Sequence, residues 1–484
     1  MTHRALVSIL ALASASTLVA CAASAPIDGA GGGEASASDD LSPTTSKAEL
    51  LANDTSASSL FTDRYTPAAR FHGSTSPVSN GDALPGSTDA KSLLVGSVSK
   101  VSVHTLVGSL PVYAEAQSWF CYGGKNPLSS SADGDQCGSH IDIGVDANST
   151  AHVKKEVADM RSRGLDGVIV DWDGQAAGLG VIDQKATGPA LNTGAIRLFK
   201  EQAEASNGAF HFAVCEDEGI KDCAAKSGCD VTQALVSDLA FLATNFFDSP
   251  AYVHQGGRPV LFFFSEDTWV AKYGKSIDWS YVRAHAPKNP LFVFENAGGF
   301  GHAESDGAYA WLHTQAIGSY PGSDPFGTEG FLPYFYQQVA SHPTKIAWAS
   351  AYKGFDDGVV NGWGGGRRYT GQQCGKTFLD TMAAAKAHAS AVDGLQIPTW
   401  DDYEEGSEVE TGIDNHLAIH ASLTGTKLSW SLAPESGAPA DCTEAIAQGF
   451  DLGATVHHYA VYASSDGQGL ALVADQIPAS ARSI

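Results

Sequence analysis

Eight short apolar runs, alternating with helix-period or glycine-rich segments between residues 109 and 413, constrain the fold of this chain more than any other feature. The runs are 111–119, 167–172, 210–215, 259–264, 291–295, 308–312, 345–351 and 395–400. Val153, Val157 and Met160 recur on one face of a predicted helix over 152–163, and Leu235, Leu239 and Leu242 do so over 231–246. Eight strand-helix units in about 300 residues predict an α/β chain closed into a (β/α)8 barrel of the TIM type, with a doubly wound open sheet as the other solution. After the fifth and sixth runs glycines outnumber helix formers, so those two connections are expected to be irregular.

The flanks read differently. Residues 1–21 carry a short basic start, an apolar stretch and the quartet Leu18-Val19-Ala20-Cys21, a lipoprotein-type export signal in which Cys21 would be lipidated. Ordinary cleavage and secretion is the alternative. Residues 22–60 are rich in Ser, Gly and Ala, bury too little to fold, and read as a disordered tether; 61–108 form a lead-in. From 414 to 484 short alternating strands at 416–423, 426–432 and 457–463 predict a small β-sandwich of the fibronectin III or immunoglobulin kind.

A formal charge of −25 over 484 residues argues against a nucleic-acid partner, because phosphate binding demands clustered Lys and Arg. The expected partners are a polysaccharide and, through the lipid on Cys21, the outer surface of a bacterial membrane; the chain is expected to act as a monomer. In an exported chain Cys121 with Cys137, Cys223 with Cys229 and Cys374 with Cys442 are plausible pairs, leaving Cys215 as a small buried hydrophobe. No HExxH pattern, G-x-S-x-G elbow or phosphate loop occurs, so no metal or cofactor is expected.

The chemistry should collect where barrel strands end. Asp171-Trp172-Asp173 ends the second run, Glu216 the third, Glu295-Asn296 the fifth and Trp400-Asp401-Asp402 the eighth. Gln117 and Trp119 close the first, Tyr352 and Lys353 follow the seventh, and His140 lies in the loop after the first. Paired carboxyls beside flat aromatic faces suit glycoside hydrolysis, which needs one protonated acid, one ionised carboxylate and stacking surfaces for sugar rings. Catalytic candidates are Glu405, Asp402 and Asp171; substrate-binding candidates are Trp119, Gln117, His140, Trp172, Asp173, Glu216, Glu295, Asn296, Tyr352, Lys353, Trp400 and Tyr403. A non-catalytic glycan-binding lipoprotein would keep Trp119, Trp172, Trp363 and Trp400 as platforms without needing the carboxyl pair. Burial of Glu405 in a neutralising pair with an arginine would count against its role as the acid.

Five segments, 138–144, 164–174, 248–260, 351–355 and 399–406, together resemble the clan of glycoside hydrolase families 71 and 99 and their bacterial relatives. The resemblance covers about residues 109–415 and implies a (β/α)8 barrel cleaving α-linked polysaccharide, often internally: α-1,3-glucan or α-mannan. It places the general acid/base on Glu405 and its partner on Asp402. Family 99 carries glutamate where Asp402 stands and Trp-His where Tyr403-Glu404 stand, so its mechanism does not transfer directly. An inverting reaction would instead need a base such as Asp171, Glu216 or Glu295.

Overall fold

The computed structural model describes residues 6–12, 94–95, 102–117, 150–175, 189–217, 219–314, 326–357, 367–402, 405–410, 413, 415–435, 437–464 and 470–484. Eight parallel strands close a barrel: β1 (Val112–Ala116), β2 (Gly167–Trp172), β3 (His211–Asp217), β4 (Arg258–Phe264), β5 (Leu291–Glu295), β6 (Gly307–Tyr309), β7 (Ile346–Ser350) and β8 (Gly394–Ile397). Each pairs with the next in sequence, and β8 returns to β1 through Leu395 beside Val112. Every predicted run supplies one strand. The closed order excludes the open doubly wound sheet.

Helices α1 (Thr150–Ser162), α2 (Pro189–Ala205), α3 (Val231–Asn245), α4 (Glu266–Lys272), α5 (Trp279–His285), α6 (Phe331–Ser341) and α7 (Lys376–Ala387) follow the strands. Val153, Val157 and Met160 of α1 and Leu235, Leu239 and Leu242 of α3 are buried, as their spacing requires. Asp230 starts α3 by accepting from the backbone of Thr232 and Gln233, and Asp278 starts α5 by accepting from Tyr281. After β5 the chain makes only a 3-10 turn over Ala297–Gly301. Gly299 lies so close to the Phe294 carbonyl that an added Cβ would sit 2.6 Å from that oxygen, which fits the irregular connection expected there.

Inside the cylinder Tyr113, Phe262, Tyr309 and Trp348 meet edge to face at 5.0–5.4 Å. Each such contact contributes about 0.5–1.5 kcal/mol beyond burial. Glycines make room for these rings: a Cβ on Gly167 would fall 2.2 Å from Tyr113, and one on Gly394 would fall 2.7 Å from Trp348. This aromatic layer is the floor on which the polar groups of the mouth rest.

The C-terminal region departs from expectation. Its described residues form a hairpin of β9 (Leu417–Thr424) and β10 (Lys427–Pro434) and a second small sheet containing β11 (His458–Ser464) and β12 (Leu470–Pro478), with α8 (Ala440–Ala447) between them. Leu6–Leu12, the apolar part of the expected export signal, lies antiparallel to β11. The hairpin, α8 and the strands β11 and β12 enclose a separate core around Trp430, Tyr459 and Ile419. Among the described residues they are small antiparallel sheets, and the expected small β-sandwich is not seen. Disulfides join Cys223 to Cys229 and Cys374 to Cys442, the latter tying α8 to the barrel just before α7, and Cys215 is free and buried. Cys21, Cys121 and Cys137 lie outside the described residues. Among those residues no helix is long and apolar enough to cross a membrane.

Candidate active site

Strand parity decides which carboxyls reach the barrel interior. Cys215 Sγ lies 3.8 Å from the hydroxyl of Tyr309 in the inner layer, so Cys215 faces inward, and so does Asp217 two residues on. Asp171 is in register with Cys215 on the neighbouring strand and faces the same way. By the same alternation Glu115, Glu295, Trp311 and Gln396 line the mouth above the aromatic floor.

Glu115 is the centre of this group. Its Oε2 accepts from the Trp311 indole at 3.0 Å and from the Gln396 amide. Asp171 shares a carboxyl–carboxyl hydrogen bond with Asp217 and also accepts from its own neighbour's backbone, Trp172 N, at 3.1 Å. Glu295 accepts from Ser265 Oγ at 3.0 Å and from Asn296 Nδ2 at 2.5 Å, while Asn296 Oδ1 receives the backbone N–H of Trp311. Asn296 is therefore a positioning residue for both Glu295 and Trp311.

The segment after β8 closes the mouth from one side. Asp402 Oδ1 accepts the backbone N–H of Glu405 at 2.9 Å, and Asp402 N donates to Thr399 Oγ1, so Asp402 shapes the turn that presents Glu405. Arg368 Nη2 donates to Glu405 Oε1 at 3.3 Å while its Nε donates to Asp357. This contact is the neutralising arginine named above, and it suits an ionised carboxylate better than a proton donor. Farther along, Lys353 Nζ lies 2.9 Å from Glu408 Oε1 in an ion pair that is fully buried on both sides. The pair pins this segment to the end of β7.

Other sequence candidates lie away from the mouth. Trp172 is fully buried and stacks on Phe241 of α3, and Trp400 is fully buried beneath the Arg163 guanidinium. Trp172 faces outward from β2, and burial leaves neither ring a face open to a sugar. Glu216 points outward as well, and Asp238, Glu266 and Asp173 surround it. Tyr352 is buried with its hydroxyl on the Phe326 carbonyl. Gln117 is at the mouth's edge, its backbone N–H on Asp401 and its side-chain oxygen without a partner. Trp119, His140, Trp363 and Tyr403 lie outside the described residues.

Burial and like charge push the mouth carboxyls upward. Glu115 rises to about 8 through loss of solvation, with Glu295 and Glu405 adding repulsion. Glu295 rises to about 7, and Asp171 and Asp401 rise well above the usual carboxylate range, burial being the first cause for all three. A carboxyl raised on folding keeps its proton where the unfolded chain has lost it, so stability falls as pH rises between the two values. For Glu115 that window runs from 4.5 to about 8. Melting followed across it is expected to give a lower Tm at pH 8 than at pH 5, with the slope reduced in Glu115→Gln; a Tm that climbs to pH 8 would contradict these assignments.

Among the described residues no group of three or more His, Cys, Asp or Glu is arranged to hold a metal ion.

The structure is similar to that of the GH99 endo-alpha-mannosidase from Bacteroides thetaiotaomicron, at 14% identity over 72% of this chain and 96% of that one, with a TM-score of 0.43. A second structure of a GH99 endo-alpha-mannosidase from that organism, in complex with Bis-Tris propane, is similar at 16% identity over 61% and 85% of the two chains, with a TM-score of 0.41. A glycoside hydrolase-like protein is similar at 7% identity over 62% and 86%, with a TM-score of 0.39. No family model matches the sequence, and no curated protein matches it.

Proposed function

We propose that this protein is a glycoside hydrolase that cleaves α-linked polysaccharide at the mouth of its barrel. One observation carries the reading: Glu115 holds its proton to about 8, while Glu405, near enough to raise it electrostatically, has the Arg368 guanidinium as counter-charge. Glycosidic cleavage needs carboxyls whose environments pull them apart in this way. Glu115 gives its proton to the leaving oxygen as the C–O bond lengthens. Glu405 acts from the other side, either attacking the anomeric carbon or taking a proton from water. Asp402 positions Glu405, and Asn296 positions Glu295 and Trp311.

The motif resemblance supports an α-1,3-glucan or α-mannan type of substrate and internal cleavage, and the quartet ending in Cys21 supports an exported, lipid-anchored protein with the barrel over 109–413. A binding-only barrel loses two of its four platforms, since Trp172 and Trp400 are buried in the core. The test is reducing-sugar release from α-1,3-glucan, α-mannan, dextran and starch by the wild type and Glu405→Gln. Cleavage of at least one polymer that the variant fails to cleave is expected; equal turnover by both would remove Glu405 from the mechanism.

Arg368 gives a further prediction. With Arg368→Gln, Glu405 loses its cation, so the acid limb of kcat/KM is expected to move to higher pH by about 1–3 units, the usual effect of one close opposite charge. An unmoved limb would show that Arg368 does not govern the ionisation of Glu405.

A further inference from the structure

The mouth is lined with carboxyls. Glu115, Asp171, Asp217 and Glu295 face into it, and Glu405 stands at its edge. Two neutral side chains add further acceptors. Gln396 is only 1% exposed and gives its amide N–H to Glu115, but its side-chain oxygen has no partner; the side-chain oxygen of Gln117, 6% exposed, has none either. The nearby described cations are engaged, Arg368 by Asp357 and Glu405, and Lys353 by Glu408.

A neutral sugar ring presents hydroxyls that both donate and accept, and it gains most from a site offering both. An alkylammonium presents three donors, no acceptor and a positive charge. From these features we infer that the site takes a cationic glycan, a polysaccharide whose hexosamine units carry free amino groups, with one ammonium seated beside Asp171, Glu295 and the oxygen of Gln396, and the proton of Glu115 left for the leaving group. The inference rests on the glycosidase reading and names the substrate class for that same site. Bound there, the ammonium supplies the donor that the Gln396 oxygen lacks and offsets repulsion among the carboxyls that ionise around it. An N-acetyl group in its place has no charge and adds a carbonyl acceptor facing acceptors, which is unfavourable. The protein's charge of −25 would also draw a polycation toward it.

The experiment compares one α-linked hexosamine polymer in its N-acetylated and chemically deacetylated forms, beside α-mannan and α-1,3-glucan, with the full-length protein. The deacetylated form is expected to show kcat/KM at least about tenfold higher than the acetylated one, with the advantage shrinking as NaCl is raised from about 50 to about 500 mM through screening. Asp217→Asn is expected to narrow the preference. Equal rates on the two forms, or preference for the acetylated one, would overturn the inference. Cleavage of α-mannan or α-1,3-glucan with none of the deacetylated polymer would overturn it and leave the hydrolase standing. No cleavage of any polymer would overturn both.

Discussion

Glu115→Gln is expected to lower kcat on polysaccharide by about 10²–10⁴-fold, the usual contribution of a positioned general acid, without loss of the fold. Glutamine is close to an isostere of a protonated glutamate, and its side-chain oxygen can still accept from Trp311 and Gln396. Its amide has no proton to give to a leaving oxygen. The loss should therefore be large for sugar leaving groups and small for a glycosyl fluoride, whose fluoride departs with little need of proton transfer. A variant equally crippled on both would show that Glu115 serves binding or structure, and a variant active on both would remove it from the reaction.

The largest expected effect on stability belongs to Lys353. Its ammonium and the Glu408 carboxylate are both removed from water and 2.9 Å apart. Lys353→Met leaves Glu408 charged and buried with its counter-ion gone, at a cost of about 3–5 kcal/mol. In a protein this large that corresponds to a drop in Tm of about 3–6 °C. The same change loosens the loop that presents Glu405, whose carbonyl accepts from Asp356 N at 2.7 Å, so activity should fall before the fold does. Lys353→Met with Glu408→Leu removes both charges and should recover most of the lost stability. A single substitution costing less than about 1 kcal/mol would mean that the pair is solvated in solution.

All eight barrel strands were legible because a parallel strand covered on both faces is apolar throughout, and such runs stand out between polar connections. The same property hid Glu115. It lies within the first run, Pro111-Val112-Tyr113-Ala114-Glu115-Ala116, where it reads as one more strand residue, although a lone carboxyl in a run that buries both faces was a usable signal. Parity accounts for the other differences. In Asp171-Trp172 and Glu216-Asp217 adjacent residues face opposite ways, so the conspicuous Trp172 and Glu216 went into the core while Asp171 and Asp217 reached the mouth. Arg368 escaped notice because its partners come from two loops, Asp357 from across the short antiparallel pairing of 355–356 with 369–370 and Glu405 from the segment after β8. Nothing in the spacing of Cys374 and Cys442 dictates the disulfide they form, and α8, which carries Cys442, was not seen among the alternating strands.

The account depends on a protonated Glu115 standing opposite an ionised Glu405. The pH dependence of kcat/KM on the polysaccharide, which reports ionisations of the free enzyme, tests this most directly. A falling limb centred near the Glu115 value of about 8, present on polysaccharide and absent on the corresponding glycosyl fluoride, is the predicted result. Turnover of polysaccharide that stays level from about pH 7 to about pH 10, far past the point where that carboxyl would have lost its proton, would contradict it.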